Sequence, residues 1–387
     1  VKVVIVHDYL NQQGGAERVV AVLHELFPDA PIYTLFVDRA KLWPALRDAT
    51  IISSWLRHFP FVMNNFKLFF WLYPIAVRTL SIPECDVVIS SSSAYAKGIR
   101  IRRRGPRMPL HICYCHTPMR FAWHFEEYIA HETDSKLLVA IARKIVPLLK
   151  WWDVMSSRQV DAFVANSSAV KERIRRFYGR NAQVIFPPVD VRTPIRGKGS
   201  LSVSSDAPPG EYYLMVSRLV SYKRLSLAVE ACTQLGKPLI VIGSGPDRQR
   251  LESIAGDTVT FLGWQPDEVV AAYMELCKAL IFPGEEDFGI TLVEANTHGK
   301  PVVAFQSGGA LDTICPGVNG VFFREASVEA LAKALDELDN TSWDATRIRA
   351  WASRFSRQHF QEVISGYIRS LALAAELSSR TAPLAEN

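Results

Sequence analysis

The chain has little to staple it and no stretch long enough to span a bilayer. Its six cysteines, at 85, 113, 115, 232, 277 and 315, fall mostly inside apolar runs without framework spacing. That excludes a disulfide-built scaffold, and with no secretory leader ahead of the first strand it predicts reduced thiols in a cytosolic setting. The longest unbroken apolar run, Leu68–Val77, is far short of the roughly 20 residues a spanning helix needs, so no transmembrane helix is expected. Charge of one sign is scarce as well: 44 basic against 39 acidic residues leave +5, too small an excess to argue for nucleic acid when no recognition motif accompanies it. Close repeats, low-complexity tracts and coiled-coil heptads are missing too. What is present, 49% apolar and 21% charged over 387 residues, suits a globular chain with core enough for two domains.

Short apolar strands alternate with helical patterns, which is the rhythm of a doubly wound α/β fold. The first half has Val3 to Val6, Asp86 to Ile89, Leu110 to Tyr114 and Ala162 to Ala165. Few residues from Thr193 to Gly210 are apolar, and a linker is predicted there. The rhythm restarts with Tyr212 to Val216, Pro238 to Ile242, Val259 to Leu262, Ala279 to Phe282 and Pro301 to Phe305. The last segment, Phe355 to Leu373, carries apolar residues at helical spacing and reads as a long amphipathic helix.

Basic residues gather in the first half, notably in the run from Arg100 to Arg107, near aromatic stretches at Phe59 to Tyr73 and Lys150-Trp151-Trp152. Such a mixture suits an anionic membrane surface. A buried helix accounts equally for the aromatics, and a solvated loop for the arginines.

Parallel sheets bind ligands beyond the carboxyl ends of their strands, so the loops there carry the chemistry. After the first strand, Gly14-Gly15 permits close backbone approach and opens a helix suited to phosphate, or forms an ordinary turn. His116 ends the strand His111-Ile112-Cys113-Tyr114-Cys115, either reaching a sugar hydroxyl or phosphate or capping the turn before Pro118. His111, Cys113 and Cys115 share a strand face, but a zinc site needs a converging fourth ligand and inner-strand cysteines usually pack as small hydrophobes. In the second half Arg218 and Lys223 stand five positions apart at a helix start, placed to clamp a diphosphate or simply to be surface cations. Glu286 and Glu294 lie eight positions apart around Phe288-Gly289. A helix opening at Gly289 would offer backbone N–H groups to phosphate, and the carboxylates would accept from sugar hydroxyls; an acidic, solvated helix start is the plainer reading for either one alone.

Arg218 with Lys223, then Gly243-Ser244-Gly245-Pro246, then Glu286 and Glu294 around Phe288-Gly289, and finally Gly299-Lys300-Pro301-Val302-Val303, together resemble the retaining GT-B glycosyltransferases of family GT4. The stretch Cys113 to Arg120 further resembles bacterial mannosyltransferases of O-antigen or exopolysaccharide assembly. The resemblance implies two Rossmann-like doubly wound domains facing a central cleft. Residues 1–190 would form the acceptor-binding domain, completed by a helix in 357–387 that crosses back, and 191–356 the nucleotide-sugar domain.

It further implies that Arg218 and Lys223 hold the diphosphate, Glu294 the ribose and Glu286 the transferred sugar. Backbone at Phe288, Gly289 and Ile290 would lie beside sugar and phosphates, with Gly14, Gly15 and Gly243 lining the donor, Trp264 near the base and His116 at the hexose. The implied reaction is same-face transfer with retention, the donor phosphate assisting deprotonation of the acceptor hydroxyl, with no cofactor and no divalent metal. The two carboxylates are thus not read as the acid and nucleophile of a retaining glycosidase. The expected donor is GDP-mannose, and the acceptor a glycan or polyprenyl-diphosphate-linked oligosaccharide reached by peripheral contact with the cytoplasmic face of an anionic membrane. Asp287 stands where glycine or proline is more usual in the family and, with Glu285 and Glu286, makes three consecutive acids, which leaves sugar preference open. A nucleotide-sugar epimerase or hydrolase of the same architecture, separable by its products with and without acceptor, is the alternative; a non-catalytic binding module, which would bind without turnover, is the third reading.

Overall fold

The computed structural model describes residues 1–59, 62, 66–101, 108–126, 136–190 and 211–381. The basic run after Ile101 and the whole of the predicted linker lie outside these residues, as does the chain after Thr381. The chain divides into two compact units, Val1–Pro188 with Arg357–Asn387, and Val189–Ser356.

The first unit is built on seven parallel strands: β1 (Val3–His7), β2 (Ile32–Thr34), β3 (Ile51–Ser53), β4 (Val87–Ser92), β5 (Leu110–Cys115), β6 (Ala162–Ala165) and β7 (Ala182–Val184), in the order β3-β2-β1-β4-β5-β6-β7. β1 and β4 are buried along their whole length, which is why Val3–Val6 and Val87–Ile89 read as apolar runs rather than alternating ones, the serines of β4 following at its carboxyl end. Helix α1 (Gly15–Leu26) packs its Val19, Val20 and Leu23 over β1. Helix α2 (Lys136–Ser157) covers a second cluster with Leu149 and Trp152.

The second unit has six parallel strands: β8 (Tyr213–Val216), β9 (Leu239–Ile242), β10 (Val259–Gly263), β11 (Ala279–Phe282), β12 (Val302–Phe305) and β13 (Gly320–Phe323), ordered β10-β9-β8-β11-β12-β13. Helix α3 (Ile290–Thr297) follows β11. In both sheets the strand order reverses beside the first strand, making the crevice that such folds use for ligands.

The closing amphipathic helix, α4, spans Arg357–Thr381 and belongs to the first unit. Phe360, Ile364 and Ile368, four apart, are buried in the core of that unit, and Phe360 meets Tyr114 edge-on at 5.8 Å. The helix starts later than its apolar pattern suggests. Phe355 ends a short 3-10 turn, Ser353–Phe355, and packs instead against Phe288 of the second unit at 5.6 Å.

The aromatic stretches are buried in part. Phe66, Phe69, Phe70 and Tyr73 pack into the core, while Phe59, Leu68 and Trp71 are exposed. Of the tryptophan pair, Trp152 is buried and Trp151 is 60% exposed. Cys113 and Cys115 sit in a core cluster with Phe163 and Ile174, and His111 bonds Ser90 Oγ at 2.9 Å.

Candidate functional site

In the second unit the loops leaving β8, β9 and β10 are tied to one another by backbone bonds at the carboxyl edge of the sheet, and the loop leaving β11 is tied to the one beyond β12. Leu219 N–H donates to Ser244 O at 2.9 Å, Gly243 N–H to Gly263 O at 2.8 Å, and Gly309 N–H, beyond β12, to Glu286 O at 2.8 Å. The approach is closest at Gly243, where a Cβ would stand 1.8 Å from the Ser217 carbonyl oxygen and φ is +142°. Only glycine fits there. Loops carrying Arg218, Gly243 and Trp264 are therefore held together although far apart in sequence, and the loop of Glu286 joins them where a Cβ on Gly284 would stand 2.6 Å from the Lys223 carbonyl oxygen.

Within that cluster Lys223 Nζ donates to Glu286 Oε1 at 2.6 Å, with side chains only 13% and 25% exposed. Two residues expected to share a ligand thus hold each other. Arg218 is exposed, and its guanidinium reaches the Tyr222 hydroxyl at 3.3 Å. Gly289 caps α3 in the left-handed region at φ +84°, a conformation costing a residue with a Cβ about 1 kcal/mol or more. Phe288 is buried; Ile290 and Glu294, the latter on α3, are half-buried. Trp264, just past β10, is 72% exposed, an indole face open to a flat partner. Glu285 accepts from the Ser307 hydroxyl at 2.7 Å, which engages one of the three consecutive acids away from Lys223.

In the first unit His7, Ser91 and His116 stand at the carboxyl ends of the adjacent strands β1, β4 and β5. Ser91 Oγ lies 2.8 Å from His116 Nε2 and 3.1 Å from His7 Nδ1. Glu17, in the first turn of α1, lies 3.8 Å from His7 Nε2 and accepts from the Gly14 N–H at 3.0 Å. Burial alone would push the His7 imidazolium down, but Glu17, then Asp8 and the Ser91 carbonyl, more than reverse it and raise its pKa. His116 is driven the other way, to about 3, by burial and then by the neighbouring His7 charge. Asp8 itself accepts four backbone N–H groups, from Ser93, Ala94, Tyr95 and Ala96, at 2.6–3.0 Å.

Gly14, Gly15 and His116 thus belong to this constellation, and Arg218, Lys223, Gly243, Trp264, Phe288, Gly289, Ile290, Glu286 and Glu294 to that of the second unit. Reasoning from the sequence passed over His7, Glu17, Ser91 and Tyr222. His7 was within reach, because it ends a strand as His116 does. Glu17 was too, because glycine followed three residues later by glutamate before an apolar run is a helix-capping pattern. Among the described residues no group of three or more His, Cys, Asp or Glu is placed to hold a metal ion.

Two family models match the chain in succession, Glycosyltransferase Family 4 over residues 13–193 and Glycosyl transferases group 1 over residues 203–351. The chain is 26% identical over 331 residues to the human alpha-1,3/1,6-mannosyltransferase ALG2, covering 76% of each protein. It is also 26% identical over 163 residues to a GDP-mannose-dependent alpha-mannosyltransferase of Corynebacterium glutamicum, covering 39% of each. Among solved structures, HepE of Anabaena in complex with UDP-glucose matches with a TM-score of 0.68 at 20% identity, over 96% of this chain and 100% of that one. This last likeness is one of fold: two Rossmann-like domains in the GT-B architecture.

Proposed function

We propose that this chain, which belongs to glycosyltransferase family 4, transfers mannose from GDP-mannose to a hydroxyl of a growing lipid-linked glycan, with retention and without a divalent metal. The observation that carries the reading is the Lys223–Glu286 pair at 2.6 Å inside the loop cluster that also holds Arg218. Departure of a nucleoside diphosphate leaves negative charge on the phosphate and positive charge at the anomeric carbon. Lys223 and Arg218 answer the first, which is the task a metal would otherwise perform, and Glu286 answers the second. Glu294 binds the ribose and Trp264 lies against the base. Mannose is favoured because two relatives so named, ALG2 and the Corynebacterium enzyme, act on mannose.

A lipid-linked acceptor brings the enzyme to the cytoplasmic face of a membrane. Helix α2 suits that surface: Ile141, Leu148, Trp151 and Met155 form an exposed stripe at helical spacing, with Leu148 63% exposed. Apart from the buried Asp153, the charged side chains described on this helix, Arg143, Lys144 and Lys150, are basic. Apolar anchors flanked by cations, with no exposed acid on the helix, match an anionic bilayer. No helix among the described residues is long and apolar enough to cross a membrane.

Thermal-shift screening against GDP-mannose, GDP-fucose, UDP-glucose, UDP-galactose and dTDP-rhamnose tests the donor, and NMR of the product's anomeric carbon tests retention. Stabilisation by GDP-mannose and an α-linked product are expected. Selective stabilisation by a uridine donor overturns the donor assignment, and turnover of donor without any glycoside product overturns transfer.

A further inference from the structure

The carboxyl ends of β1, β4 and β5 form a chain of hydrogen bonds in which geometry fixes the first proton. His7 pairs in register with Ser91, and Ser92 with Cys115, so His116 emerges beside both. His7 Nδ1 lies 3.0 Å from the Ser91 carbonyl oxygen, and a carbonyl only accepts, so Nδ1 carries a proton. Ser91 Oγ, 3.1 Å from the same nitrogen, accepts from it, and its own single proton is free to go to His116 Nε2 at 2.8 Å. With Nε2 accepting that proton, a neutral His116 carries its own on Nδ1, for which no partner stands among the described residues. The carboxylate of Glu17 closes the far end, one oxygen toward His7 Nε2 and the other accepting from Gly14 N–H. All four side chains are buried, and His116, at 8%, is the most accessible.

We propose that Glu17, His7 and Ser91 are positioning residues that fix the tautomer of His116, leaving its Nδ1–H as a donor to an oxygen of the bound sugar or phosphate, while Glu17 sets the Gly14–Gly15 turn. The ligand rests on the transferase reading above; the tautomer does not. The groups facing His7 are Glu17 from α1, Asp8 beside it in the chain, Ser91 from β4 and His116 from the end of β5. Both carboxylates favour a charged His7, and that charge together with burial keeps His116 neutral. A neutral imidazole with one fixed N–H donates to an oxygen without taking up a proton itself.

Ligand-free protein labelled with 15N-histidine tests the tautomer by long-range proton–nitrogen correlation, with the His7 and His116 signals assigned by their loss in H7Q and H116Q. His116 is expected with Nδ1 protonated, Nε2 bare and no titration above about pH 5. Ser91→Ala should give a mixture or the Nε2–H form, and Glu17→Gln should keep the tautomer while moving the His7 midpoint down. An Nε2–H form in the unaltered protein, or a His116 pattern unmoved by Ser91→Ala, overturns the inference. With GDP-mannose and acceptor, Ser91→Ala is expected to lower kcat roughly tenfold with KM for the donor within about twofold, and Ser91→Thr, which restores the hydroxyl, to recover much of the loss. Equal loss in both variants indicates packing alone and overturns the positioning role. Protein that turns over no GDP-mannose sinks the transferase reading only, since the nitrogen spectra still decide the tautomer.

Discussion

Replacing Glu286 by Gln should tighten the binding of free nucleoside diphosphate while nearly abolishing transfer. In the ligand-free protein Lys223 is held by Glu286 at 2.6 Å, and a diphosphate must draw it away. At that separation Coulomb attraction in an effective dielectric of 20 is about 6 kcal/mol. Desolvation of both ions and the ordering of two side chains offset most of this. Exposed pairs net about 0–1 kcal/mol and breaking fully buried ones costs about 3–5, so exposures of 13% and 25% place this pair at about 1–2 kcal/mol. Removing the carboxylate charge should therefore lower Kd for GDP by roughly 5- to 30-fold. Transfer should meanwhile fall by about 10²–10³, because the charge facing the anomeric carbon is gone. Isothermal titration with GDP and, in parallel, UDP measures the first effect, and steady-state turnover the second. Lys223→Ala should weaken nucleotide binding, and in the Lys223→Ala, Glu286→Gln double variant the tightening should vanish. A Glu286→Gln protein that binds neither nucleotide more tightly than wild type refutes the reasoning.

Glu294→Ala should raise the Kd for nucleotide, whereas Arg218→Ala should act mainly on kcat; unchanged kinetics in both would remove those residues from the site. Gly243→Ala, whose Cβ would lie 1.8 Å from the Ser217 carbonyl oxygen, should spread the loop cluster and abolish nucleotide-induced thermal stabilisation, and a wild-type shift would show that the cluster tolerates the spreading. Vesicle sedimentation should show the protein bound to anionic lipid and released in Leu148→Ser, Trp151→Ser, with neutral vesicles bound weakly by both; equal binding of the variant to anionic vesicles would move the contact elsewhere. Burial holds His111 at about 4 and His116 at about 3, below the ordinary 6.5 of the unfolded chain, so the unfolded state binds more protons between those values and stability should fall as pH drops from about 6.5 toward 4. His7, raised, acts oppositely, contributing below pH 6.5 and losing its contribution as pH rises through its own folded value. Urea midpoints should therefore decline on the acid side, less steeply in His111→Gln.

Much of the architecture was legible because buried parallel strands are continuous apolar runs, as in Val3–His7 and Ala279–Phe282. Strands β2, β3 and β7 were not, being three residues each, with β3 only half-buried and β7 bearing an exposed Gln183. Apolar spacing also carried the last helix back to Phe355, since a pattern cannot say that this ring packs on Phe288 instead. Arg218, Lys223, Glu286 and Glu294 could be named from their places after strands, whereas Gly243, Trp264 and Ile290 came only with the family resemblance. That Lys223 and Glu286 grip each other could not be read, because their meeting depends on how two loops dozens of residues apart are tied. The histidine chain was missed for a related reason: a seryl hydroxyl in an apolar strand gives no signal until register sets it between two imidazoles.

Helix α4 completes the unit that begins at Val1, yet all of Val189–Ser356 precedes it in the chain. On the ribosome, then, the second unit can fold as soon as it emerges, whereas the first must wait with the places of Phe360, Ile364 and Ile368 unfilled. A message truncated just after Ser356 would yield a sound second unit joined to a first with its apolar seam open, a product suited to chaperone capture. The unit whose strands are made earlier is thus the later of the two to be sealed.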